Sequence, residues 1–202
     1  MPDAPPPAFD WQRVERWTAE VAAGDTGDVC AAFSERGARG PALSWQPMVE
    51  ALGAHQLRFL LRYWEDLRGT RRLPAYREID AVEMRPALGY VHLLDAVEGG
   101  RDFRYRVFGS IVAAVSDFDM TGQLASTLKA SAYVGEFGLA SLRAVFARRE
   151  PLFTVHGPPT AIYTATWHRL ILPLADDQGD VARVLVGMVP MAHDGRPVAL
   201  RL

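Results

Sequence analysis

Between Arg104 and Gly122 the chain reads RYRVFGSIVAAVSDFDMTG, and the spacing of its apolar residues changes halfway. Tyr105 and Val107 alternate with Arg104 and Arg106, as along a half-buried strand. After Gly109 the apolar Ile111, Val112 and Val115 fall at helical spacing, and Asp117 to Gly122 has turn composition. The pattern predicts a strand that feeds a short helix and stops. In the DMTG turn, Thr121 is expected to cap the next helix through its hydroxyl.

Upstream the periodicity is helical. Val14, Trp17 and Val21 share a face across DWQRVERWTAEVAAG, with Asp10 as N-cap and Gly24 at the far end. DVCAAFSERG predicts another short helix, and GARGPALSWQP a loop. From Met48 to Arg68, Leu52, Phe59, Leu60, Tyr63, Trp64 and Leu67 make an apolar surface wider than one stripe, closed by Gly69. Such a helix contacts two surfaces. Asp80 followed by Glu83 has capping-box spacing and predicts a brief helix ended by Pro86.

Downstream, strands dominate. GYVHLLDAV (89–97) and DFRYRVFG (102–109) flank Glu98-Gly99-Gly100-Arg101, a hairpin signal. A longer helix carries Phe137, Leu142, Val145 and Phe146 on one side and ends before Pro151. Three further strands follow at 151–157, 165–175 and 181–190. This order predicts an α+β layer: five antiparallel strands with helices inserted after the second. The last two strands are apolar on both faces, so the 48–68 helix is the candidate cover for the second face.

Composition narrows the setting. The chain has 202 residues, 49% hydrophobic and 23% charged, which is ordinary for a globular protein. No apolar run reaches the roughly 18 residues of a bilayer helix, and the start MPDAPPPAFD lacks signal-peptide character. A cytoplasmic protein is expected. Cys30 is the sole cysteine, so neither an internal disulfide nor a cysteine-based metal site forms within one chain. A net charge of -2 gives no global attraction to nucleic acid. Arg62, Arg68, Arg71, Arg72 and Arg77 are offset by Glu65, Asp66 and Glu78 and read as a solvated face. No nucleophile elbow, dinucleotide loop, phosphate loop or paired-histidine spacing occurs, so neither an enzyme nor a preformed metal site is expected.

LLRYWEDLRGTRRLPAYREID, FRYRVFGS, DMTG, HRLILPLADD and VLVGMV together resemble a family of small stand-alone PAS-like proteins of proteobacteria. The resemblance spans about residues 57–190. It implies a sensory or binding module with a cavity between sheet and helices, often dimeric through flanking helices. It specifies no ligand or cofactor. Residues 1–47 lie outside it: four prolines in 1–8 predict a disordered lead-in, the helical pattern an N-terminal extension (9–47), followed by the PAS-like domain (48–190) and a C-terminal tail (191–202).

On that frame the expected cavity lining is Tyr105, Val107, Ile111, Val115, Phe118, Phe137, Phe146, Tyr163, His168, Leu170 and Leu172, with Val186. The same residues suit a packed core, so a ligand pocket and a filled interaction scaffold both stand. His168, on the side of Leu170 and Leu172, is either a contact to a ligand or to haem iron, or a strand-edge residue bonded to a backbone carbonyl. His156 is expected in solvent and His92 without company. The flavin-adduct variants of the fold need a cysteine after the second strand, and Cys30 lies far upstream. Phe59, Tyr63 and Trp64 are the candidate interface, toward a second copy or a signalling partner.

Overall fold

The computed structural model describes residues 9–158 and 164–198. Its first helix, α1 (Trp11–Ala23), starts where the Asp10 carboxylate accepts the Arg13 N–H at 3.0 Å. It ends at Gly24, left-handed at φ 84°, a conformation glycine adopts without Cβ strain. Helix α2 (Gly27–Ser34) follows. The stretch read as a loop contains instead a short strand, β1 (Ala42–Trp45), which pairs antiparallel with β4 (Leu152–His156).

Helix α3 (His55–Arg68) begins later than the apolar pattern predicts. Val49–Ala51 form a single 3-10 turn, and the chain is extended at Leu52 and Ala54 around Gly53, a residue that weakens helix interiors. The brief helix expected from Asp80 is also absent. Asp80 accepts the Val82 N–H at 2.8 Å in a turn, and a 3-10 turn at Arg85–Ala87 includes Pro86.

Strands β2 (Val91–Val97) and β3 (Asp102–Val107) form the expected hairpin. Helix α4 (Ser110–Ser116) and the long helix α5 (Ala132–Arg148) come next, then β4, β5 (Thr166–Ala175) and β6 (Val181–Met191). In the DMTG turn the capping group is Asp119, whose carboxylate accepts the Thr121 N–H at 2.7 Å, and not the Thr121 hydroxyl. The following piece is one 3-10 turn, Ala125–Thr127, with no side-chain cap.

The sheet is antiparallel, in the order β1-β4-β5-β6-β2-β3. Six strands replace the expected five because β1 extends the edge beside β4. Helix α5 crosses one face and α3 covers the other, as the two-sided apolarity of β5 and β6 requires. The α3 contact is close: a Cβ on Gly187 would lie 2.6 Å from Leu60 and 2.7 Å from Leu57. Helix α1 packs on the outer side of α5, where buried Glu136 accepts the Asp10 N–H at 2.9 Å and pairs with Arg13 at 2.8 Å. Covered on both sides, α5 buries Tyr133 and nearly every residue from Gly135 to Val145.

Candidate ligand-binding cavity

Cross-strand partners share a face, so the register assigns each side chain to α5 or to α3. Arg169 lies opposite Thr154 and Met188, and Trp167 opposite His156; these face α5. His168 lies opposite Val155 and Val189, and Leu170 opposite Phe153 and Gly187; these face α3. Between α5, α4 and the first of these faces is a cavity of about 390 Å³. Its walls are aromatic (Tyr105, Phe108, Phe118, Trp167) and aliphatic (Val112, Val115, Leu139, Leu142, Val186, Met188), with exposed Lys129 and Ser131 at the rim. That size and lining fall within the range of small-molecule sites.

Of the lining expected from the sequence, Tyr105, Val115, Phe118 and Val186 are in place. Val107 is not. Its side chain is 48% exposed, because a register shift between Leu93 and Leu94 inserts an extra residue in β3 and reverses its alternation beyond Tyr105. Phe108 takes the position instead. His168, Leu170 and Leu172 are corrected to the α3 face, where His168 meets Phe153 edge-on and lies 3.6 Å from the Cβ position of Gly53. Ile111 packs against Gly89. Phe137 is buried against Phe33 and His156, and half-buried Phe146 packs against Phe103 and Gly100. Tyr163 lies outside the described residues.

The expected interface is partly engaged within the chain. The Trp64 indole N–H donates to the Pro173 carbonyl at 2.8 Å, and the Tyr63 hydroxyl accepts the Asp80 N–H at 2.9 Å. Phe59, stacked on Tyr63, remains half-buried.

The polar floor of the cavity is what the pattern did not reveal. Arg169 is 7% exposed; its Nε donates to the Thr154 hydroxyl at 3.3 Å and Nη2 to the Ser141 hydroxyl at 2.9 Å. Its guanidinium stacks 5.0 Å from the Phe137 ring centre. Among the described residues no carboxylate pairs with it, and no acidic residue lines the cavity. Burial lowers its pKa to about 10, a desolvation cost on the order of 3 kcal/mol for keeping the charge.

His92 and His156 share this floor. Burial, and secondarily the Arg169 charge, push each imidazole down to about 3, so both are neutral. His92 Nδ1 accepts the Gly109 N–H at 3.1 Å, which leaves Nε2 as a donor without a partner among the described residues. His156 ends β4 and is 1% exposed rather than solvated, with neither ring nitrogen hydrogen-bonded among the described residues. Burial also pushes the Tyr105 hydroxyl up to about 12. A signal for Arg169 was present: an arginine within the apolar run RLILPLA, in a residue class that is almost never buried without a partner.

A helix-walled cavity on one face of an antiparallel sheet is the arrangement the sequence resemblance anticipated. A family model described as PAS domain matches residues 53–189. The chain belongs to the PAS domain family. No curated protein and no solved structure matches the chain. The PAS match covers α3, the strands β2 to β5, β6 but for its last two residues, and both cavity helices, whereas α1, α2 and β1 precede it. Among the described residues no helix of this PAS domain is long and apolar enough to cross a membrane. None of them forms a group of three or more metal-ligating side chains.

Proposed function

We propose that this PAS domain is a sensory or regulatory module, not an enzyme, whose cavity takes up a small and mostly apolar molecule. The observation that supports the reading is the 390 Å³ space itself, since a domain used only as a packed scaffold fills its interior to native density. The lone Cys30, whose thiol donates to the Pro41 carbonyl, suits a reducing cytoplasm. Occupancy signals by favouring one arrangement of α5 and its neighbours over another, because a ligand shifts an equilibrium only through differential affinity. The output partner is a protein, most simply a second copy, and half-buried Phe59 is the interface residue free to meet it.

Native mass spectrometry of the purified protein, beside denaturing mass spectrometry, tests the reading. The expected result is an extra mass lost on denaturation, or its recovery after incubation with apolar small molecules. Val115→Trp, which fills the cavity from α4, is expected to abolish it while leaving the fold intact. Binding that survives Val115→Trp at full strength places the ligand elsewhere and defeats the proposal.

A further inference from the structure

We infer that the ligand is an apolar monocarboxylic acid whose carboxylate docks on Arg169 at the floor of the cavity. The inference rests on the cavity being a ligand site and adds the chemistry of its occupant.

The hydroxyls of Thr154 and Ser141 hold the guanidinium in place, but being neutral they do not balance its charge. An ion taken out of water is tolerated when an opposite charge reaches it. Among the described residues none does: the lining contains no Asp or Glu, and the sequence Pro159-Thr160-Ala161-Ile162-Tyr163 that links β4 to β5 has no acidic residue either. The third guanidinium nitrogen, Nη1, faces Gly138 on α5, where a Cβ would lie 3.4 Å away. The missing side chain keeps that approach open.

The groups beside Arg169 are donors as well. His92 offers Nε2–H, and neutral His156 carries one N–H with no partner among the described residues. Buried donors without acceptors, clustered on a cation, match a carboxylate. A neutral ligand leaves the charge uncompensated. A dianion such as phosphate would bury a surplus negative charge against one buried cation, since Lys129 at the rim is exposed. The aromatic and aliphatic walls then take an apolar body.

Calorimetric titration of the full chain, stripped of copurified molecules, tests this. The probes are straight-chain monocarboxylates from hexanoate to dodecanoate and phenylacetate, each beside the alcohol of the same skeleton. The best acid is expected to bind about 10- to 100-fold tighter than its alcohol, the worth of one charge-assisted contact. In Arg169→Met the alcohol still binds and the preference for the acid disappears. Equal affinities for acid and alcohol in the wild type, or a preference that persists in Arg169→Met, overturn the inference while leaving the cavity as a ligand site. Failure of every acid and alcohol to bind, with no copurified mass, overturns both. The wild-type comparison needs no variant, so it decides even where Arg169→Met does not fold.

Discussion

His92 and His156 must stay neutral where the fold puts them, and that fixes how stability responds to acid. Their folded pKa values are about 3, against an ordinary 6.5. Between those limits the unfolded chain binds protons that the folded chain refuses, so stability is full above pH 6.5 and falls as pH drops towards 3. By pH 5 each imidazole is expected to remove about 2 kcal/mol. Burial lowers His168 in the same direction. Urea unfolding at pH 7 and pH 5 reads this loss. His156→Phe, which keeps the edge contacts to Phe33 and Phe137, is expected to remove about half of the loss. An unchanged loss would place the acid sensitivity elsewhere. Arg169 gives a second check at this scale. If it serves the ligand rather than the fold, Arg169→Met removes an uncompensated charge and is expected to leave the ligand-free protein as stable or more stable. A fall of several kcal/mol in its unfolding free energy would mark the guanidinium as structural.

At the scale of elements, periodicity carried the order of strands and helices, because each half-buried element repeats its apolar spacing over several residues. Phase was harder to read. β5 is apolar on both faces, so nothing in RLILPLA says which set of alternate residues meets α5, and His168 lies on the α3 side with Leu170 and Leu172. The bulge that turns Val107 outward leaves no mark within RYRV, which alternates without a break, and only the adjacent apolar pair Val107-Phe108 departs from the pattern. β1 was missed because four residues are too few for alternation to separate a strand from a loop, and its strand conformation comes from pairing with β4. Gly187 shows what the sequence withheld at the sheet–helix contact. A lone glycine in an apolar strand weakens it unless another element needs the space, and here Leu57 and Leu60 of α3 occupy it. Gly187→Val is expected to push α3 off the sheet and lower stability by about 1–3 kcal/mol, measured by urea unfolding. A neutral result would show that the two leucines repack freely, and that α3 is held mainly by other contacts such as Trp64 on Pro173.

For the whole molecule, the segment before the PAS match is integral to the fold. Residues 9–47 supply α1 against α5, Phe33 against Tyr133 and Phe137, and the edge strand β1. Trp45 donates to the Val21 carbonyl at 2.9 Å and Arg148 to the Ala22 carbonyl at 2.7 Å, so the extension is tied to itself and to the end of α5. Unfolding is therefore expected to be one transition, not two. The tie with most at stake is Glu136, a fully buried carboxylate that pairs with Arg13 of α1. Arg13→Met leaves that charge with the Asp10 N–H as its remaining partner among the described residues. Because Arg13 itself is partly exposed, the expected loss is about 2 kcal/mol, below the 3–5 kcal/mol of a fully buried pair broken on one side. Adding Glu136→Leu removes the stranded carboxylate, so the double variant should recover most of what the single variant loses. Equilibrium urea unfolding of the wild type and the three variants measures the coupling. Additive losses would show that α1 is held by its apolar face alone. A recovering double variant would show that the two charges are coupled across the α1–α5 contact, on the same helix whose inner side borders the cavity through Gly135 and Gly138. A carboxylate drawn towards Arg169 would then act on α5 from within while Arg13 holds it from outside, giving occupancy a route to α1 along one helix.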